Sequence, residues 1–116
     1  MKKLELKNYK VNVPYRKEDG TVDKKDIDYE VKDILVNILT SAPLKQDLKI
    51  GGRDALLLDK LASKIENCNE EYILLESVNY EKLTRMVDAF HGWGKFDGEL
   101  LRRVFEAETV EVQEKK

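Results

Sequence analysis

Residues 4–39 read LELKNYKVNVPYRKEDGTVDKKDIDYEVKDILVNIL, and their hydrophobic pattern changes partway from strand to helix. Leu4 and Leu6 alternate with charged residues, and Tyr9, Val11, Val13 and Tyr15 then alternate in the opposite phase. Alternation is the mark of a strand, because successive side chains point to opposite faces. The change of phase at Lys7-Asn8 predicts a bulge or bend in one long strand. Pro14 has no N–H to donate, which puts that end of the strand at an edge or beyond the ladder. Lys17-Glu18-Asp19-Gly20-Thr21 reads as a hairpin turn in which Gly20 is free to take a positive φ. The return strand, 22–27, is interrupted by Lys24-Lys25-Asp26. Asp28 is then the candidate N-cap of a helix. Its spacing of Val31, Ile34, Leu35, Ile38 and Leu39 is that of one apolar stripe, and Ala42-Pro43 closes it.

Working outward, residues 43–52 read as a loop and 53–65 as a second helix. Leu56, Leu57, Leu58, Leu61, Ala62 and Ile65 give that helix a wide apolar face, which predicts a central position covered on more than one side. Asn67-Cys68-Asn69 breaks it, and Tyr72-Ile73-Leu74-Leu75 predicts a short strand near 72–76. Ser77 or Asn79 can cap a third helix carrying Tyr80, Leu83, Met86, Val87 and Phe90. It stops at His91-Gly92-Trp93-Gly94. Asp97 is placed to cap a fourth helix through Leu100, Leu101, Val104 and Phe105. The fold class expected is a single α+β domain, an N-terminal β-hairpin packed on three to four short helices. The hairpin covers 1–27 and the helical part 28–107. The tail, 108–116, alternates Val110 and Val112 with glutamates and is either a short added strand or a frayed end. The expected core is Ile34, Leu35, Ile38, Leu39, Leu57, Leu61, Ile65, Leu83, Val87, Leu101 and Val104.

The 116 residues suffice for one core and leave no room for two. With 21 basic against 23 acidic residues the net charge is −2, which argues against general nucleic-acid binding, since that draws its affinity from neutralised phosphates. Residues 1–25 nevertheless carry eight basic side chains against four acidic, so a basic hairpin on an acidic body is expected. Such a hairpin docks head-to-tail with another copy or on an acidic partner, or else is a lysine-decorated edge that resists aggregation. Cys68 is alone, so no disulfide forms within the chain, which fits a reducing compartment. No apolar run follows Met1-Lys2-Lys3-Leu4-Glu5, so a cytoplasmic location is expected, without membrane contact.

Few residues carry chemistry. His91-Gly92-Trp93-Gly94, followed by Phe96, has two readings. Trp93 is a rigid aromatic anchor for a partner, or Gly92 is a left-handed cap and Trp93 folds back onto the core. His91 lacks a second histidine to share a metal. Gly51-Gly52-Arg53-Asp54 lacks the length, the lysine and the strand of a phosphate loop. Cys68 has no basic neighbour in sequence to activate it. The span from Asn67 to Ser77 is too long for the turn of a helix-turn-helix. No catalytic residue, metal or cofactor is expected, and no small-molecule substrate is inferred.

Glu18-Asp19-Gly20-Thr21, the helix Asp33-Ile34-Leu35-Val36-Asn37-Ile38-Leu39, the segment from Leu56-Leu57-Leu58 to Lys64-Ile65, and Leu100-Leu101 follow one another in an order similar to that of small proteins from tailed phages and prophages. The resemblance implies a phage origin, and hence the host-cell cytoplasm. It implies a charged hairpin, two helices, a short strand and two closing helices. The Trp93 loop departs from it.

The function expected is that of a non-enzymatic protein-interaction domain, such as a phage assembly or accessory factor. It would act through self-association or a protein partner, using Trp93, His91 and Phe96 or the hairpin residues Lys10, Arg16 and Lys17. The alternative is a regulator that binds nucleic acid, or a nucleic-acid-associated host protein, through the basic hairpin.

Overall fold

The computed structural model describes residues 1–111, so the part of the expected tail beyond Glu111 lies outside the described residues. The domain is α+β, as expected, but its first strand is not the start of the hairpin. β1 (Lys2–Glu5) pairs antiparallel with β4 (Tyr72–Leu75), Lys2 opposite Leu75 and Glu5 opposite Tyr72. On its other side it pairs with β5 (Glu108–Thr109), giving the order β4-β1-β5. Met1 and Val110 extend that pairing through reciprocal backbone bonds of 2.9 and 2.7 Å.

The bend expected in one long strand is a complete break. Leu6 N–H donates to the Glu71 carbonyl at 2.7 Å, and the chain then leaves the sheet. β2 (Tyr9–Arg16) and β3 (Val22–Tyr29) form a separate two-stranded hairpin in the register Tyr9–Tyr29 to Arg16–Val22. The hairpin therefore spans 9–29 rather than 1–27. The phase change marks two strands with different destinations: Leu4 and Leu6 are buried in the core, whereas β2 runs outward.

β3 continues to Tyr29 and so displaces the expected cap. Asp28 lies inside the strand, and the Asn8 side chain accepts the Val31 N–H at 3.0 Å instead. α1 (Val31–Leu39) buries Val31, Leu35, Ile38 and Leu39, with Ile34 half-buried. The expected loop 43–52 contains a further helix, α2 (Ala42–Asp47). Ser41 Oγ accepts the Leu44 N–H at 3.3 Å. Pro43 sits in the first turn, where a missing N–H costs nothing. Lys49 takes φ 56°, with Ile50 N–H bonded to Lys45 O and Lys49 N–H to Gln46 O. That pair is the left-handed closure usually made by glycine.

α3 (Gly52–Glu66) buries Leu58, Leu61, Ala62 and Ile65. Leu56 and Leu57 are 55% and 39% exposed, so the helix is covered on one side and is not central. Three consecutive leucines spread over about 200° of a helix and cannot all face one way. α4 (Ser77–Ala89) is preceded by Glu76 at the N-cap position, and neither Ser77 nor Asn79 caps it. α5 (Gly98–Phe105) buries Leu100 and Val104 and leaves Leu101 half-buried. The helices cover one face of the three-stranded sheet, and the core joins Leu4, Leu6, Ile73 and Leu75 to Leu35, Leu39, Ile65, Leu83, Met86 and Val87.

The molecule measures 63 × 36 × 23 Å, with a radius of gyration of 16.5 Å, where a compact chain of this length has about 13 Å. The hairpin accounts for the elongation.

Ile65→Ala, at a fully buried site, is expected to cost about 2–5 kcal/mol in urea unfolding, and Leu57→Ala under about 1 kcal/mol. Lys49→Gly relieves the left-handed backbone and is expected to stabilise by about 0.5–1 kcal/mol in the same assay.

Candidate interaction surfaces: the arm and its anchor

An isolated two-stranded ribbon is marginal in water, so β2–β3 needs an anchor. Tyr9 and Tyr29, opposite one another at its base, supply it. Their rings stack at 4.6 Å. Tyr9 Oη donates to the Phe96 carbonyl at 2.8 Å, and Tyr29 Oη donates to the Asp97 carboxylate. The other Asp97 oxygen accepts the Gly94 N–H at 2.6 Å. Asp97 thus precedes α5, as expected, yet spends its carboxylate on the hairpin and on a 3₁₀ turn, Lys95–Asp97. Arg103 lies 5.1 Å from the centre of the Tyr9 ring and donates to Glu99 at 3.0 Å and to the Lys7 carbonyl at 2.5 Å. Burial, then the bonded Asp97 carboxylate, raises the Tyr29 phenol well above its ordinary 10.0. Burial also raises Tyr9. The Arg102 and Arg103 guanidiniums hold Glu99 below the usual carboxylate range.

From this base the two strands run about 26 Å outward, eight residues each, packing chiefly on one another. We call this ribbon the arm. One face carries Val11 opposite Ile27, Val13 opposite Lys25 and Tyr15 opposite Asp23. Val11 still touches the core, while Ile27 is 41% exposed. The Lys25 ammonium sits 5.3 Å from the Tyr15 ring centre. The opposite face is polar. Lys10 pairs with Asp28 at 2.5 Å, and Asn12 donates to Asp26 at 2.9 Å. On the first face, nearer the turn, Lys17 pairs with Asp23 at 2.9 Å. Arg16 is exposed beside the turn.

The expected basic hairpin is therefore electrically neutral. Residues 9–29 hold five cations and five carboxylates, because Lys2 and Lys3 belong to β1 rather than to the hairpin and because the return strand brings Asp26 opposite Asn12 and Asp28 opposite Lys10. Backbone edges are also unequal. Lys17 N–H donates to Thr21 O at 2.8 Å, and Gly20, at φ 85°, donates to Lys17 O at 3.0 Å. Counting back by twos from this bonded pair leaves the backbone groups of Lys10, Asn12, Pro14 and Arg16 facing outward on β2. Val22, Lys24, Asp26 and Asp28 face outward on β3. Pro14 interrupts the donors of the β2 edge, and the β3 edge is complete.

The Trp93 loop folds back. Trp93 is half-buried, packs edge-on against Phe90 at 4.9 Å, and donates Nε1–H to the Val87 carbonyl at 3.2 Å. That carbonyl lies in the last turn of α4, where no later helical N–H reaches it. Gly92 has φ 110° but lies one residue beyond the expected cap position. Phe96 is half-buried and His91 exposed. The two surfaces proposed from sequence, hairpin and loop, meet at the Tyr9–Phe96 bond.

Elsewhere Cys68 Sγ lies 3.4 Å from the Tyr72 carbonyl, and Lys32 reaches the Cys68 carbonyl rather than its thiol. Gly51 precedes α3, and Asp54 in the first turn accepts from Lys82 at 3.3 Å. No group of three or more His, Cys, Asp or Glu placed to hold a metal ion occurs among the described residues. No helix among them is long and apolar enough to cross a membrane. Sequence reasoning missed the Tyr9–Tyr29–Asp97 anchor. Its signal, a tyrosine at each end of the two hairpin strands, was present, but the partner lies 68 residues on. No protein-family model matches the chain, and no curated protein or solved structure shows significant similarity to it.

A phenol whose pKa is raised on folding stabilises fully below its unfolded value and loses that contribution as pH rises beyond it. Urea midpoints are therefore expected to fall as pH is raised from about 9 to about 11. Tyr29→Phe should start less stable at neutral pH and show a shallower alkaline decline. An equal decline in both proteins would place the titration elsewhere.

Proposed function

We propose that the chain is a non-enzymatic protein-interaction domain whose recognition element is the arm, and that it serves as a phage-encoded assembly or accessory factor. The observation that carries the reading is the arm itself. It holds Val13, Tyr15 and Ile27 on one face beyond the core and keeps one open strand edge. An ordered, projecting, one-sided apolar ribbon contributes little to its own core and fits recognition by strand addition. Trp93 drops from anchor to brace, since its ring and its N–H are used within the domain. The phage setting rests on the order of elements alone. Binding of nucleic acid by a basic hairpin draws no support from an arm with equal charges of each sign.

The test is solution mass by light scattering across protein concentration, together with capture by immobilised protein. The double variant Tyr15→Ser/Ile27→Ser is expected to lose whichever contact the parent shows by at least roughly tenfold, with the unfolding midpoint of the body held. The parent contact should persist in high salt, because apolar burial is not screened. A contact that survives the double variant, or that collapses with salt as phosphate binding does, overturns the reading.

A further inference from the structure

A second surface lies on the body, on the exposed side of α3 where it meets the first turn of α4. A groove of about 340 Å³ is lined there by Leu57, Lys60, Leu61, Lys64, Asn67 and Asn79. Leu57 and Leu61 are one helical turn apart, as are Lys60 and Lys64, so two leucines run beside two lysines along one helix face. Leu61 forms the buried floor at 3% exposure, and Leu57 forms an open wall.

The charges decide what fits. Lys10, Lys17, Lys45 and Lys82 each reach a carboxylate within 4 Å. Lys60 and Lys64, like Lys2, Lys3, Lys24, Lys25, Lys32, Lys49 and Lys95, reach none among the described residues, and these two line the groove together. No carboxylate lines the groove, although acidic residues outnumber basic ones in the whole chain. An apolar floor flanked by two unpaired cations, on an otherwise acidic body, is complementary to a segment that presents leucine-like side chains next to carboxylates.

We propose that this groove docks an acidic, amphipathic peptide segment of a protein partner. The segment lays an apolar side chain against Leu57, over the floor that Leu61 makes, and its carboxylates reach Lys60 and Lys64. Such a pairing uses desolvated apolar contact for affinity and the two lysines for register and sign. The surface is separate from the arm, so the domain has two contacts.

The probe is a short synthetic peptide of alternating Glu and Leu pairs, titrated into ¹⁵N-labelled protein, with its Lys/Leu counterpart as control. The acidic peptide is expected to give saturable shifts at the amides of Leu57 to Asn67 and of Asn79. Lys60→Glu/Lys64→Glu should weaken it by roughly tenfold or more, and Leu57→Ser comparably. These three side chains are at the surface, and an unchanged spectral fingerprint confirms that each variant folds. Shifts that do not saturate, that fall elsewhere, or that survive the charge reversal overturn the proposal. Equal binding of the Lys/Leu peptide also overturns it. So does binding of phosphatidylserine vesicles at these residues with no response to the acidic peptide.

Discussion

The arm depends on the tyrosine pair at its base. Two strands alone bury too little to offset their ordering, and this ribbon has no third strand. Stacking Tyr9 on Tyr29 places both hydroxyls toward the same short loop, where one meets a carbonyl and the other a carboxylate. Asp97 is the pivot. It holds Tyr29 with one oxygen and closes the loop through Gly94 with the other, so the loop after α4 and the base of the arm are ordered together. Arg103 adds a cation over the Tyr9 ring and a bond to the chain where it crosses from sheet to arm. Without this joint the arm would be a tethered, fluctuating hairpin rather than a surface.

What the sequence made legible follows the range of the interactions. α1, β4 and the hairpin turn were readable because their signals are local: a stripe at helical spacing, a short apolar run, and a glycine where positive φ is required. α2 is hidden in the sequence because Pro43, which marks the end of one helix, also opens the next. Lys49 closes α2 where a glycine would have signalled the stop. On α3 the register was ambiguous, since adjacent leucines offer several stripes, and packing against α1 and α4 selected Leu58 over Leu57. The phase change at Lys7-Asn8 marks where β1 ends but not what it pairs with, because its partners lie near residues 72 and 108.

The candidate surfaces show the same division. Counted along the chain, Lys10, Arg16 and Lys17 make a basic patch, but strands neutralise across a ladder rather than along it. Asp23, Asp26 and Asp28 arrive from the return strand and cancel the charge. In the Trp93 loop the residue type did not distinguish anchor from brace. The acceptor at Val87, six residues earlier, is a free helix-end carbonyl, and it is the geometric fact that separates the two.

Pro14 has a consequence for valence. One donor is missing midway along β2, so a strand laid on that flank would lose a ladder bond that the β3 flank keeps. The two flanks of the arm are therefore chemically unequal, although both strands are eight residues long. A ribbon with two open flanks would propagate into a fibre. Here a single pyrrolidine ring makes one flank poorer in donors than the other.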